Sequence, residues 1–472
     1  MTNWTGKRVL ILGAARQGLA LARWLARHGA RVTLNDLRPL DDMRAAQASL
    51  ADVDVEWMLG GHPVELLDRV DVLCPSGGVP LTLPIVSEAI QRGIPFSNDT
   101  QIFIEAAPCK TVGISGSAGK TTTTTLVGEM AKRKFKDEGG RMNDENATAH
   151  PAVFIGGNIG DPLINYVDDM TANDLAILEI SSFQLDQMTV STDIAAILNI
   201  TPNHLDRHGT MDAYIAAKAR LLDFQKADGI SILGRDDPVS WNLRDKVKEK
   251  LLTFSLNELE EGLDGSYLRA GSLNLRDGKS NVTLMPREKI HLRGNYNVAN
   301  VLAAFVIGHA AGFPLDAMIE AVEDFHGVPH RLELVREWNG VRWYNNSIAS
   351  APERTIVVLG AFEEPIVLLL GGRDKNLPWE GLMQLVGERV DHLVLFGEAA
   401  EKIEKTVASL PVGMKRAPTT RVNGLHEAVL RAAEVAKPGN VVLLSPGGTS
   451  FDEFKDFAER GERFKSWVQE LP

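Results

Sequence analysis

The sequence predicts an α/β chain of three domains, 1–108, 109–328 and 329–472. Three observations predict it. At about 150 residues per domain, a chain of 472 residues suggests three domains. Short apolar runs alternate with amphipathic helical runs from end to end, the pattern of parallel strands joined by helices. Strands that run directly into glycine-rich turns recur at Gly13, Gly116 and Gly371.

Composition limits the class. Hydrophobic residues make up 44% and charged residues 24%, which fits a folded globular chain. No apolar run approaches the roughly 20 residues of a membrane helix. Met1 to Gly6 shows no secretory signal pattern, so no membrane association and a cytoplasmic location are expected. Lys and Arg number 50 against 62 Asp and Glu, a formal charge of −12, which argues against general nucleic-acid binding. Two cysteines, Cys74 and Cys109, make neither a disulfide framework nor a zinc site, and they fit a reducing compartment.

The first domain opens with Arg8 to Gly13, a buried parallel strand. Gly13-Ala-Ala-Arg-Gln-Gly18 turns the chain into a helix, Leu19 to His28, and a second strand, Arg31 to Asn35, ends at Asp36. Val70 to Leu73 and Ile94 to Phe96 continue the series. The second domain begins with Lys110 to Ile114, a glycine turn and a helix, Lys120 to Lys132. Lys132 to His150 is polar and reads as an exposed loop. Strands follow at Ala152 to Ile155, Leu175 to Ile180 and Ile194 to Leu198, then a helix, Met211 to Phe224. Val282 to Leu284 and Lys289 to Leu292 are short strand candidates before a helix, Asn297 to Ala311. Past Gly327-Val-Pro329, strands at Val341 to Asn345, Ile366 to Leu370, His392 to Leu395 and Val441 to Ser445 alternate with helices.

Gly116-Ser117-Ala118-Gly119-Lys120-Thr121, between a strand and a helix, is the strongest chemical signal. Backbone N–H groups in such a turn cradle phosphate, lysine reaches the β/γ-phosphates, and the threonine hydroxyl ligates Mg²⁺. The pattern departs from a full P-loop signature because residue 114 is Ile. Gly13 to Gly18 is a weaker dinucleotide-like turn with Ala15 in its middle position. Asp36 stands about 20 residues on, where a ribose-binding acid falls. Alone, that turn suits either an NAD-type oxidoreductase or any tight strand–helix turn.

Glu179 ends an apolar strand, where a doubly wound sheet presents its ligand edge, and is placed to hold Mg²⁺. His204 follows the next strand and shares a turn with Asp206, which suits either metal or substrate contact. Lys218 lies on the apolar stripe of its helix with Tyr214, Ala217, Leu221 and Leu222. It either snorkels to water or is a desolvated, modifiable amine. Gly371-Gly372-Arg373-Asp374-Lys375 and Ser445-Pro-Gly-Gly-Thr-Ser450 are turns at strand ends suited to an anionic ligand.

In order along the chain, several segments together resemble the Mur ligases, ATP-dependent amide-bond-forming enzymes of peptidoglycan precursor synthesis. These segments are Gly116 to Thr121, Gly156-Gly-Asn-Ile-Gly160, Leu178-Glu-Ile-Ser-Ser-Phe-Gln-Leu185, Asn199 to Arg207 and Ala216-Ala-Lys218. Arg293 to Asn300, Pro329-His-Arg331 and Ser445 to Phe457 complete the set. The resemblance implies a Rossmann-like first domain, a P-loop ATPase second domain and a Rossmann-like third domain. It also implies that glutamate is joined to UDP-N-acetylmuramoyl-L-alanine through an acyl phosphate, by a monomer with small-molecule partners alone.

By the same resemblance, ATP meets Ser115, Gly116, Ser117, Ala118, Gly119, Lys120, Thr121, Thr122, Asn297, Asn300 and Arg331. Mg²⁺, with Mn²⁺ able to substitute, falls to Thr121, Glu179, His204 and a carbamylated Lys218. Lys120, Lys218 and His204 are the catalytic set. Asp36 and Arg38 read the uridine nucleotide, Asn158 and Ser181 touch the same substrate, and Lys375, Ser450 and Phe457 surround the glutamate. One segment departs: where the resembled member carries Asp-Ser-Lys-Ala-Thr-Asn, this chain has Asn346-Ser-Ile-Ala-Ser-Ala351. Two charges are lost there, which leaves addition of L-glutamate open beside D-glutamate. A different ATP-dependent amide ligase and a non-catalytic nucleotide-binding regulator are the other readings.

Overall fold

The computed structural model describes residues 3–137, 151–248 and 250–472. Contacts divide the chain into two compact units. One is Met1–Ile290 with Asn295–Phe325; the other is His291–Gly294 with His326–Pro472.

The first unit holds two sheets. One contains β1 (Arg8–Leu12), β2 (Arg31–Asp36), β3 (Val55–Leu59) and β4 (Val72–Pro75), all parallel in the order β3-β2-β1-β4. Its centre, Val-Leu-Ile-Leu in β1, is apolar throughout because helices and turns cover both faces. The other sheet contains β5 (Lys110–Ser115), β6 (Val153–Gly157), β7 (Leu175–Glu179), β8 (Ile194–Ile197) and β9 (Ile230–Gly234). It goes on through β10 (Lys250–Ser255), β11 (Gly265–Arg269), β12 (Ser272–Asp277) and β13 (Ser280–Pro286). The order is β13-β12-β11-β10-β9-β8-β5-β7-β6, parallel except for the β11-β12-β13 meander. One apolar core joins the two sheets, with Trp24 and Phe103 packed in the same cluster as Ile164, Leu178 and Leu185.

The second unit carries one sheet. Its strands are β14 (Glu333–Trp338), β15 (Val341–Asn345), β16 (Ile366–Gly371), β17 (Val390–Phe396), β18 (Thr419–Arg421) and β19 (Val441–Gly447), in the order β14-β15-β19-β16-β17-β18. Only the β14-β15 edge is antiparallel. Apolar clusters lie on both faces, one around Leu368 and Trp379, the other around Val394 and Phe464.

Three expected elements differ. Ile94 to Phe96 gives only one parallel bridge, Phe96 to Leu73, because Pro95 has no N–H for a ladder. Lys289 to Leu292 is not a strand: the chain turns through a 3₁₀ segment, Arg287–Lys289, after Pro286. The helix expected to stop at Lys132 runs over Lys120–Asp137. Good helix formers continue it, and Glu129 pairs with both Lys132 (2.8 Å) and Arg133 (3.7 Å) one turn on. The rest of the expected loop, 138–150, lies outside the described residues. Among the described residues, no helix is long and apolar enough to cross a membrane.

Candidate active site

The phosphate-type turn stands at the C-terminal end of β5, flanked in the sheet by β7 and β8. Gly116 (φ +157°) and Gly119 (φ +86°) both take conformations that disfavour a side chain. A Cβ on Gly119 would lie 2.1 Å from Asn300 Oδ1, so the loop and the helix Asn295–Ala310 fit only through that glycine. Asn199 fixes the loop from the neighbouring strand end: its carbonyl accepts from Ser117 N (2.9 Å) and its Oδ1 from Ala118 N (2.9 Å). Lys120 Nζ donates to the loop carbonyls of Gly116 (2.7 Å) and Ser117 (3.3 Å). Asn300 and Asn297, both buried, are joined by a 3.1 Å hydrogen bond above the loop.

Glu179 ends β7 beside Ile114 of β5 and is 2% exposed, so it is not a solvated strand-end acid. Its Oε2 accepts from Thr121 Oγ1 (2.8 Å) and its Oε1 from Asn158 Nδ2 (3.0 Å). Asn158 is held by its own N–H, which donates to the Glu179 carbonyl (2.8 Å). One carboxylate thus gathers the hydroxyl that follows Lys120 and the amide of the Gly156-Gly157 turn.

Lys218 resolves the choice between snorkelling and desolvation. Its residue is 1% exposed, and Nζ ends against Ser115 Oγ (3.3 Å) and over the Tyr214 ring (4.9 Å), directly behind the phosphate turn. Burial, and then the charge of Lys120, push its amine well below the ordinary lysine pKa. His204 takes a left-handed conformation (φ 55°) at the start of the short helix Leu205–His208, edge-on to Phe183 with ring centroids 4.9 Å apart. Desolvation by its surroundings, then the Lys120 charge, lower its pKa.

Among the described residues, no group of three or more His, Cys, Asp and Glu side chains is placed to hold a metal ion. The groups around the turn are the Thr121 hydroxyl, the Glu179 carboxylate and, against Ser115, the Lys218 amine, whose pKa burial lowers. Together with a strand–turn–helix whose glycines leave no room for a Cβ, they suit phosphate oxygens and a hard divalent cation.

In the first sheet, Arg38 forks onto Asp36 through two 2.8 Å hydrogen bonds, and Ala14 N donates to the same carboxylate (2.8 Å). The Arg38 hydrogen bonds hold Asp36 far below the ordinary carboxylate range. Asp36 therefore closes the Gly13–Gly18 turn, and Arg38, exposed, stays at the surface of it. Ser181 begins the helix Ser182–Leu185 in a capping box with Gln184. Sequence reasoning missed Asn199 and Gln184; the Ser181-x-x-Gln184 spacing is the signal that finds the second.

In the second unit, the two glycine-rich turns pair with each other. Arg373 N donates to the Thr449 carbonyl (2.8 Å) and Thr449 N donates back to Arg373 (2.9 Å). Lys375 is exposed, Ser450 is buried, and Phe457, at the start of the helix Phe457–Gln469, is 40% exposed. Arg331, half-buried, follows His330 in the turn before β14. Asn346 is 3% exposed; its Nδ2 donates to Ser445 Oγ (3.1 Å) and its Oδ1 accepts from Leu332 N (3.2 Å). Nothing in the structure explains the amide in place of an aspartate, since the Ser445 hydroxyl could donate to either.

The chain matches family models for the Mur ligase MurD-like N-terminal domain over residues 7–97, the Mur ligase middle domain over 114–308, and the Mur ligase glutamate ligase domain over 330–448. It is 36% identical to a UDP-N-acetylmuramoylalanine–D-glutamate ligase of Symbiobacterium thermophilum, covering 98% of each chain. It is 37% identical to one of Pelotomaculum thermopropionicum, covering 100% of this chain and 99% of the relative. Among solved structures it resembles MurC of Thermotoga maritima (TM-score 0.55, 18% identity, 98% and 99% of the two chains covered). It also resembles MurF of the same organism in complex with ADP (TM-score 0.51, 18% identity, 98% and 95% covered). Three sheets among the described residues, three matched domains and full-length relatives above a third identity agree: the chain belongs to the Mur ligase family.

Proposed function

We propose that this chain is an ATP-dependent ligase that joins D-glutamate to UDP-N-acetylmuramoyl-L-alanine in peptidoglycan precursor synthesis. The observation that carries the reading is Lys218, a desolvated amine set behind a phosphate-binding turn whose threonine is tied to a buried glutamate. Relatives named for that activity over their full length support the substrates. The functional division is taken as 1–108 for the uridine substrate, 109–328 for ATP and 329–472 for the amino acid.

The substrate carboxylate attacks the γ-phosphorus of ATP; the bond to the β-bridging oxygen breaks, ADP leaves, and an acyl phosphate forms. Lys120 turns from the loop carbonyls to the phosphate oxygens and offsets their developing charge. Asn297, Asn300 and Arg331 hold the nucleotide, with Ser115 to Thr122 around its phosphates. The glutamate nitrogen then attacks the acyl carbon, phosphate leaves the tetrahedral intermediate, and the amine releases its proton. Asp36 and Arg38 hold the uridine end, Asn158 and Ser181 the acyl end, and Lys375, Ser450 and Phe457 the incoming amino acid. Mg²⁺, or Mn²⁺ in its place, held by Thr121, Glu179, His204 and a carbamate on Lys218, supplies charge neutralisation on the phosphate oxygens. Lys218 suits that modification because a neutral amine can add to CO₂, forming an N–C bond and releasing a proton.

A charge of −12 supports the absence of a nucleic-acid partner; the two buried free cysteines suit a reducing cytoplasm, and the monomeric state is taken from the family resemblance. The test is phosphate release from ATP and Mg²⁺ with UDP-N-acetylmuramoyl-L-alanine, supplying D- or L-glutamate in parallel. Release with D-glutamate alone is expected. Release with L-glutamate alone would keep the mechanism and assign the Asn346 to Ala351 segment to the opposite chirality. Release with neither would overturn the acceptor.

A further inference from the structure

We propose that Gln184 and Thr100 are positioning residues that fix the direction of the Ser181 hydroxyl, so that Ser181 meets the substrate as a hydrogen-bond acceptor for an N–H group. The proposal rests on the reading of Ser181 as a substrate contact. Gln184 is 2% exposed, and its amide is fully used. Oε1 accepts from both Ser181 N (3.0 Å) and Ser181 Oγ (2.9 Å). Backbone N–H groups can only donate, so the oxygen of this amide must face Ser181 and the nitrogen must face away. That nitrogen donates to Thr100 Oγ1 (2.7 Å) and lies in hydrogen-bond contact with the Asp99 carboxylate. Asn98 Nδ2 donates to the Gln184 carbonyl (2.9 Å) and fastens the same turn to the start of the helix Asp99–Ala106.

The consequence is at Ser181. A serine hydroxyl has one proton, and here it is committed to Gln184. Gln184 N donates to Ser181 Oγ at 3.3 Å and occupies one lone pair. One lone pair remains on a half-buried oxygen two residues past Glu179. UDP-N-acetylmuramoyl-L-alanine carries amide N–H groups, and its carboxylate and phosphate oxygens have no proton to give. The strut therefore presents Ser181 to an amide N–H near the acyl end of the substrate and leaves the carboxylate itself to other groups. It reaches from the first sheet's helix to the P-loop domain without touching the reacting atoms.

Thr100→Val removes the anchor at a distance from the site and keeps its shape. The expected result is a rise of about five-fold in KM for UDP-N-acetylmuramoyl-L-alanine, the worth of one neutral hydrogen bond, with KM for ATP unchanged. Thr100→Ser, which keeps the hydroxyl, should restore the wild-type value. The decisive experiment is the double-mutant cycle with Ser181→Ala, read both by KM and by calorimetric binding of the same substrate. If Thr100 acts through Ser181, the double variant matches Ser181→Ala alone. Additive effects, or a Thr100→Val protein with lowered melting temperature and unchanged KM, would overturn the proposal and leave a packing role. Wild-type binding without turnover would sink the proposed acceptor and leave the cycle readable by calorimetry; no binding at all would sink both.

Discussion

Lys120 and Lys218 are two lysines with opposite surroundings within one site. Lys120 is partly exposed and donates to two carbonyls of its own loop, weak partners that an anionic phosphate outcompetes. Lys120→Ala should cost turnover by orders of magnitude while circular dichroism and melting temperature stay near wild type, since its head group is partly exposed and the two carbonyls it meets belong to its own loop. Lys218 is buried against Ser115 and Tyr214, and the cost of desolvation favours its neutral form. Lys218→Ala should be nearly inactive and partly rescued by short carboxylic acids, which return an anion to the place of the proposed carbamate. A fully active variant would return Lys218 to core packing. The sequence made these two residues visible in different ways. Lys120 is fixed by a motif with a mechanism, whereas Lys218 is marked only by a charge on an apolar stripe, a pattern that snorkelling produces equally well.

The strand–turn–helix from β5 into Lys120–Asp137 depends on one backbone conformation more than on any side chain. Gly119→Ala puts a methyl group at φ +86° and within 2.1 Å of Asn300 Oδ1. We expect nucleotide binding by calorimetry to be lost and the protein to be destabilised by about 1–3 kcal/mol, the usual range for backbone strain at such a position. Asn300→Ala should recover part of the stability by clearing the clash. Elements of this kind were the most legible, because a buried run followed by glycine and a periodic helix admits few alternatives. The strands β9, β10, β11 and β12 were not legible as a set. Their turns do carry a signal, Ala270-Gly271 and Asp277-Gly278 at the ends of β12, but it is local and gives no partner strand. Pro95 shows the converse: an apolar run reads as a strand until the missing N–H reduces it to one bridge.

At the scale of the whole molecule, the three-sheet plan was legible from length and alternation, but the division into two compact units was not. His291–Gly294 joins the later residues across sequence because Arg293 forks onto Glu364 (3.0 and 2.9 Å) and donates to Tyr344 Oη (2.6 Å). Such a pairing at 71 residues' separation leaves no periodic trace. Two carboxyls, Glu364 in the second unit and Asp99 in the first, respond to acid in opposite senses. Burial raises Glu364, but the Arg293 hydrogen bonds outweigh it and hold the carboxyl at about 2, so its stabilisation is present at neutral pH and lost as pH falls from about 4.5 toward 2. Asp99 in the first unit is the reverse. Burial raises it to about 6 against hydrogen bonds that favour the charge. Its protonated form is the stable one in the fold, so its contribution is complete below about pH 4 and is lost as pH rises through 6. Asp99→Asn, which keeps the acceptor for Gln184 and cannot ionise, should therefore be more stable than wild type at pH 7.5 by on the order of 2–3 kcal/mol, with roughly half that advantage at pH 5. Urea unfolding of both proteins at the two pH values measures it. An advantage that stays constant or grows toward pH 5 would mean that the Asp99 charge is better compensated than its burial allows. It would also move the Gln184 amide from supporting Ser181 to stabilising that charge.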